Sequence, residues 1–202
     1  MTKLTSTERH RQIIDAALRC FAEHGVEATT IDMIRAASGA SVGSLYHRFG
    51  NKEGLAAEVY IAGLRDFRAR LAQATDAAGS AREAVAAVVG ANIDWISAHP
   101  DWARFVFNHR VVLSQADRET EFSAEVADAN KRLWQRFYSL PGATALSSRD
   151  SGLHHSLLAG PVHDYARQWL EGRRKRSPAA LRDTFVSAAW AAMQACGATD
   201  TH

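Results

Sequence analysis

The chain has 202 residues, 24 Lys and Arg against 22 Asp and Glu, and a net charge of +2 with histidine neutral. With 47% apolar residues it has ample material for a hydrophobic core, which excludes a disordered chain, and its length suits one domain or two small ones. Two cysteines, Cys20 and Cys196, exclude a disulfide scaffold and a cysteine-rich zinc site, and the overall charge does not by itself announce a nucleic-acid partner.

Only four prolines, abundant alanine and rare β-branched runs predict an all-α fold. The first helix begins near Thr5, where Thr5-x-x-Glu8 forms a capping box, and Ile13, Ile14, Ala17, Leu18 and Phe21 share one face. His24-Gly25 is its stop. A short second helix starts at Thr29-Thr30, turns Ile31, Ile34 and Ala37 inward and ends at Gly39. Ser41 caps a third, to Phe49, with Leu45 and Phe49 inward. Asn51 caps a fourth, whose buried side is Leu55, Val59, Phe67 and Leu71. After a soft boundary at 74–79, Ser80-x-x-Glu83 opens a fifth helix as a second capping box. His99-Pro100 breaks it, and Pro100 suits the first turn of a sixth, carrying Trp102, Phe105 and Val106. A long helix from about Asp117 to Leu140 follows, with Phe122, Val126, Ala129, Leu133, Phe137 and Leu140 spaced by threes and fours, and Pro141-Gly142 ends it. The next spans about Arg149 to Leu170, with a kink expected near Gly160-Pro161. The last starts at Ser177-Pro178 and ends at Gly197. The expectation is about nine helices: an N-terminal group of three, a linking fourth and a larger C-terminal bundle. The longest apolar runs fall far short of a membrane span, and Met1 to Arg11 lacks the apolar core of a signal peptide. A cytoplasmic protein without a membrane partner is therefore expected.

Two short helices joined by Gly39-Ala40 have the layout of a helix-turn-helix, whose second helix presents its N-terminal residues to the DNA major groove. The charge is locally suited to this. The 20 residues between Asp32 and Glu53 hold no acid but include Arg35, His47, Arg48 and Lys52. Residues 1–60 as a whole carry seven basic and seven acidic residues, so the positive potential belongs to one face, which is all that phosphate binding needs.

The run Thr29-Thr30-Ile31-x-x-Ile34-x-x-Ala37-Ser38-Gly39-Ala40-Ser41-Val42-Gly43-Ser44-Leu45-Tyr46-His47-Arg48-Phe49-Gly50-Asn51-Lys52-Glu53-x-Leu55 resembles the DNA-binding signature of the TetR family of bacterial transcriptional regulators. The likeness extends to Ala16-Ala17-x-x-x-Phe21 and His24-Gly25 and covers about residues 9–60. It implies a helix-turn-helix domain over 1–56 and a ligand-binding and dimerisation domain over 57–202. The contact residues implied are Thr30, Val42, Gly43, Ser44, Tyr46, His47, Arg48 and Lys52. Gly43 lets the helix approach DNA closely. Ser44 faces the groove, and Val42 can pack on a thymine methyl, although some members carry a polar or charged residue there. Tyr46 and Lys52 match positions that meet the phosphate backbone, and Thr30 matches a phosphate contact while also serving as an N-cap. His47 and Arg48 stand at variable positions within reach of base or phosphate.

The resemblance further implies a homodimer through the last two helices, about 149–171 and 178–196, the last of them rich in small residues (Ala188, Ala189, Ala191, Ala192). A two-fold dimer presents its recognition helices about 34–36 Å apart, one turn of DNA. Aromatic residues crowd the middle of the chain, and Trp102, Phe105, Phe137 and His163 are candidates for an effector pocket, with Asn108 and His109 as further polar candidates. No metal and no cofactor is expected: His155 and His163 are eight residues, or two turns, apart, too far for one ion. The cluster Arg173-Arg174-Lys175-Arg176 reads as a solvated loop.

The function expected is a ligand-responsive, DNA-binding transcriptional repressor of a palindromic operator, released by a small-molecule effector, and not an enzyme. The alternatives are a helical-bundle enzyme and an interaction module that does not bind DNA. The chain has no Gly-x-Ser-x-Gly elbow, His-Glu-x-x-His, P-loop or dinucleotide glycine pattern.

Overall fold

The structure is a computed structural model and describes residues 5–143 and 150–198, the side chains to 195. Among these are ten α-helices, one 3-10 turn and no strand: α1 (Ser6–Ala28), α2 (Ile31–Ser38), α3 (Val42–Phe49), α4 (Lys52–Asp76), α5 (Ala81–Ala98), α6 (Pro100–Asn108), α7 (Val112–Gln115), α8 (Glu119–Tyr138), α9 (Ser151–Leu170), the 3-10 turn Pro178–Leu181, and α10 (Arg182–Ala198). The helix beyond the nine expected is the single turn α7. None is long and apolar enough to cross a membrane.

Helix starts follow their local chemistry. The Glu8 amide donates to Thr5 Oγ1 at 3.2 Å and the Thr5 amide to Glu8 Oε2 at 2.7 Å, the complete capping box. Ser41 Oγ accepts from the Ser44 amide at 3.2 Å, and Asn51 Oδ1 from the Gly54 amide at 2.7 Å. At α5 the expected box is half made. Ser80 Oγ caps the Glu83 amide, but Glu83 Oε2 accepts from the amide of Gly79, one residue further back than expected. Gly25 interrupts α1 with φ 77°, ψ 161°, and the chain then makes one more turn to Ala28. α9 runs through Pro161 as one helix, with the Leu157 carbonyl deprived of its amide partner.

The chain divides into two compact units, residues 1–65 with 101–124, and 66–100 with 125–202. In the first, Ile13, Ile14, Ala17 and Phe21 of α1 form a core with Ile34, Leu45, Phe49, Leu55 and Val59. α2 departs from its expected face: Ser38 is buried and Ala37 exposed. The Ser38 hydroxyl accepts from the Ala40 amide at 3.2 Å, which satisfies a buried polar group inside the turn. α6 packs on α4 where Gly63 leaves room. A Cβ there would lie 2.6 Å from Trp102 Cδ1, and the indole N–H donates to the Val59 carbonyl at 3.1 Å.

The second unit is a bundle in which α5 packs on α9 and α10. Its core includes Val85, Val89, Ile93, Ile96, Leu158, Val162 and Met193. Two buried polar groups stand among them. Asn92 Nδ2 donates to the Val88 carbonyl at 2.8 Å. That fixes the amide so that Oδ1 accepts from His163 Nε2 at 2.6 Å, and burial, with the charge of Arg167 nearby, lowers the His163 pKa to about 4. His154 is fully buried, its Nδ1 2.9 Å from the Tyr138 hydroxyl, and desolvation lowers its pKa too. In α8, Phe122, Trp134 and Phe137 are buried, as is Leu140 just after its end, while the intervening Val126, Ala129 and Leu133 are only half-buried.

Candidate nucleic-acid interface

α3 is eight residues long, too short to be stable alone, and is held by its caps and by Leu45 and Phe49 on the buried side. The opposite side carries what the sequence singled out. Val42 and Tyr46 are large apolar or aromatic side chains left 39% and 51% exposed, one turn apart. Between them Gly43 faces open space, with no atom within 4 Å of where a Cβ would stand. His47 and Arg48 are exposed and Ser44 is half-buried. Six of the eight predicted contact residues thus lie on one short helix.

The remaining two flank it. Thr30 is exposed, and its hydroxyl accepts from the Met33 amide at 3.3 Å, so it is the N-cap of α2. Lys52 opens α4, and its Nζ donates to the Glu27 carbonyl at 2.9 Å, which orients the ammonium across the end of α1. Gly39, at φ 63°, makes the left-handed turn that sets α2 against α3.

Arg9 and Arg48 tie α1 to the helix-turn-helix. Arg9 Nη2 donates to the Gly39 carbonyl at 2.6 Å, and Arg48 Nη2 to Ser6 Oγ at 3.2 Å. Neither is signalled by local spacing, since the partners are 30 and 42 residues apart. Arg35 pairs with Asp32 at 3.2 Å on the surface, which reduces its share of the positive potential. Cys20 is buried and its thiol pKa is pushed up by desolvation, so little thiolate is available for redox chemistry. Cys196 lies outside the described side chains.

The four pocket candidates are divided between the two units, Trp102 and Phe105 in one and Phe137 and His163 in the other. Trp102 packs on Gly63. Phe105 stacks on Phe21 (centroids 5.5 Å) and, with Asn108, His109 and Arg104, lines a cleft of about 230 Å³ between α1 and α6. Phe137 is wholly buried against Trp134 and Tyr138, and His163 is engaged with Asn92. A groove of about 420 Å³ in the second unit, between α4 and α8, was not foreseen. Its lining is Arg68, Ala69, Leu71, Ala72, Thr75 and Asp76 on one helix and Ala129, Arg132 and Leu133 on the other. Among the described residues no group of three or more His, Cys, Asp or Glu is placed to hold a metal ion. The basic loop after α9 is occupied locally: Arg173 pairs with Glu171, Arg174 Nε donates to Gln168 at 2.9 Å, and Arg176 donates to the Ala180 carbonyl at 3.1 Å.

Residues 13–59 match the family model described as bacterial regulatory proteins, tetR family. Over 67 residues the chain is 40% identical to the HTH-type transcriptional repressor AcnR of Corynebacterium glutamicum, a match covering 33% of this chain and 34% of that one. Over 128 residues it is 31% identical to the HTH-type transcriptional repressor Rv1474c of Mycobacterium tuberculosis, covering 61% and 65%. The chain thus matches about a third of the first relative's length and just under two thirds of the second's. A TetR-like transcriptional regulator from Rhodococcus sp. RHA1 shares the fold over 95% of this chain and 98% of its own, with a TM-score of 0.69 and 25% identity.

Proposed function

We propose that this chain is a transcriptional repressor whose hold on DNA is set by a small-molecule effector, on the premise that residues 13–59 match the model of the TetR family of bacterial regulatory proteins. The observation that carries the reading is the outer face of α3. Exposed Val42 and Tyr46 flank a glycine that faces open space, on a helix whose other side is core. A surface helix that only needed solubility would carry polar residues there; one that enters a major groove needs a close approach and side chains that meet bases and phosphates.

In this reading residues 1–56 bind DNA and 57–202 bind the effector and form the dimer, in the cytoplasm. Thr30, Tyr46 and Lys52 meet phosphates, which position the protein; Val42, Ser44, His47 and Arg48 are placed to read base edges. A homodimer through α9 and α10 is supported by the small outward residues of α10, Ser187, Ala188, Ala191 and Ala195, which allow close helix approach, and by Leu153 of α9, 41% exposed. An isologous contact of this kind places two recognition helices about 34–36 Å apart on a palindromic site. An effector releases DNA to the extent that it binds the non-operator conformation more tightly.

The test is selection from a random DNA pool with the purified protein, followed by sequencing. The expected product is a palindrome with half-sites one turn apart. Absence of any enriched sequence at low salt overturns the reading.

A further inference from the structure

We propose that Arg9 is a positioning residue for DNA recognition. By holding the turn between α2 and α3 against α1, it sets where the recognition helix begins, and so governs selectivity among DNA sequences rather than the hold on phosphate. This rests on the regulator reading and names a residue, outside the helix-turn-helix, on which its selectivity depends.

The turn supplies only part of its own bonding. Gly39 stands at φ 63°, ψ 16°, and its amide donates to the Arg35 carbonyl at 2.9 Å. The Ala40 amide donates to Ser38 Oγ at 3.2 Å. Among the described residues no backbone amide donates to the Gly39 carbonyl. Arg9 Nη2 does so instead, at 2.6 Å, from 30 residues away. An exposed turn carbonyl otherwise turns to water, which fixes no direction; an ionised donor on a helix does.

Arg9 is itself held in place. It is half-buried, and its Nη1 donates at 2.9 Å to Gln12 Oε1, three residues further along the same face of α1. The planar guanidinium thus reaches two neutral acceptors at once, one on its own helix and one on the turn. The Thr5–Glu8 box fixes the start of the helix that carries it.

α1 also meets the far end of α3. Arg48 Nη2 donates to Ser6 Oγ at 3.2 Å, and the rings of His10 and Phe49 lie 5.4 Å apart. Residues 6–10 therefore frame the recognition helix at both ends, and Arg9 holds the end that reads. The N-terminal residues of a recognition helix meet the base edges, and Val42 stands three residues after Gly39. Such contacts work only within about 0.5 Å of their proper place, whereas phosphate contacts are spread over the unit and carry no sequence information. Loss of Arg9 frees the reading end while Ser6 and His10 still hold the other.

The experiment measures binding of the full-length protein, by fluorescence anisotropy over a range of salt, to the selected palindrome and to a shuffled duplex of the same length. Arg9→Met keeps an unbranched stem and removes the donors. It should weaken binding to the palindrome about tenfold, the worth of one charge-assisted hydrogen bond, and leave the shuffled duplex and its salt slope unchanged. Arg9→Lys, which keeps one donor, should fall between Arg9→Met and the parent. Gln12→Ala should act in the same direction and by less. Thermal melts verify that each variant is folded at the binding temperature. Equal losses on both duplexes, with a salt slope lower by about 1, would place Arg9 on a phosphate and overturn the proposal. Equal losses that track a lowered melting temperature would make the bond merely structural and overturn it too, as would undiminished binding of the palindrome by Arg9→Met. Each of these outcomes leaves the regulator reading standing. That reading fails, and this proposal with it, if the parent protein enriches no DNA.

Discussion

Glu58 of α4 accepts a 2.7 Å hydrogen bond from Arg118 Nη1, an ion pair between residues 60 apart in sequence. The Glu58 side chain is 18% exposed and that of Arg118 32%, so both charges are partly withdrawn from water. Arg118 follows Asp117, a non-glycine residue at φ 53°, and its own amide donates to the Leu113 carbonyl at 2.9 Å, so the turn before α8 presents the guanidinium in a set direction.

Removing one partner leaves the other charge half-desolvated. Glu58→Gln should destabilise the protein by about 1–3 kcal/mol in urea denaturation. The Glu58→Gln/Arg118→Met double variant should lose less than the sum of the single losses. Additive losses would show that the pair is not coupled.

Stability should fall on acidification. His163 has a folded pKa of about 4 against an ordinary value of 6.5. Between those values the unfolded chain binds a proton that the folded chain does not, so stability is full above about pH 6.5 and declines towards pH 4. From pH 6.5 to 5 the loss from this residue is about 2 kcal/mol, at 1.36 kcal/mol per unit. His154 and His109, also lowered by desolvation, act in the same direction. Urea denaturation at pH 7 and 5 measures the slope, and His163→Gln should flatten it.

Tyr46→Phe and Lys52→Ala should each weaken binding to the selected DNA by about 1 kcal/mol, and by similar amounts across related sequences, because phosphate contacts carry no base information. Lys52→Ala should also lower the slope of log affinity against log salt by about 1. A base-specific loss at either position would contradict the assignment.

Gly43→Ala separates fold from function. Gly43 lies in the first turn of α3, so the substitution gains less than the roughly 1 kcal/mol of a helix interior, and no neighbour opposes the new methyl group. Thermal stability should rise or stay constant while DNA affinity falls. A variant that is destabilised, or that binds DNA as well as the parent, would refute the close-approach role.

What the sequence by itself determined is what its short-range chemistry decides. The Thr5–Glu8 box, the Ser41 and Asn51 caps, and Gly39 in the left-handed turn all act over three or four residues. Their spacing is therefore visible before any fold exists. The recognition helix was legible for the same reason: its caps, core residues and contact residues lie within one short run. Tertiary structure decided the rest. Ser38 rather than Ala37 is buried, its hydroxyl satisfied by the Ala40 amide, so apolarity alone does not select the covered face of α2. The pairs Glu58–Arg118 and Arg68–Asn130 join residues 60 and 62 apart. Whether such side chains meet depends on helix crossings and registers that no local spacing encodes. The same holds for the aromatic residues offered as a pocket: apolar character marks them for burial, but only packing determines whether a ring fills the core, as Phe137 does, or walls a cleft, as Phe105 does.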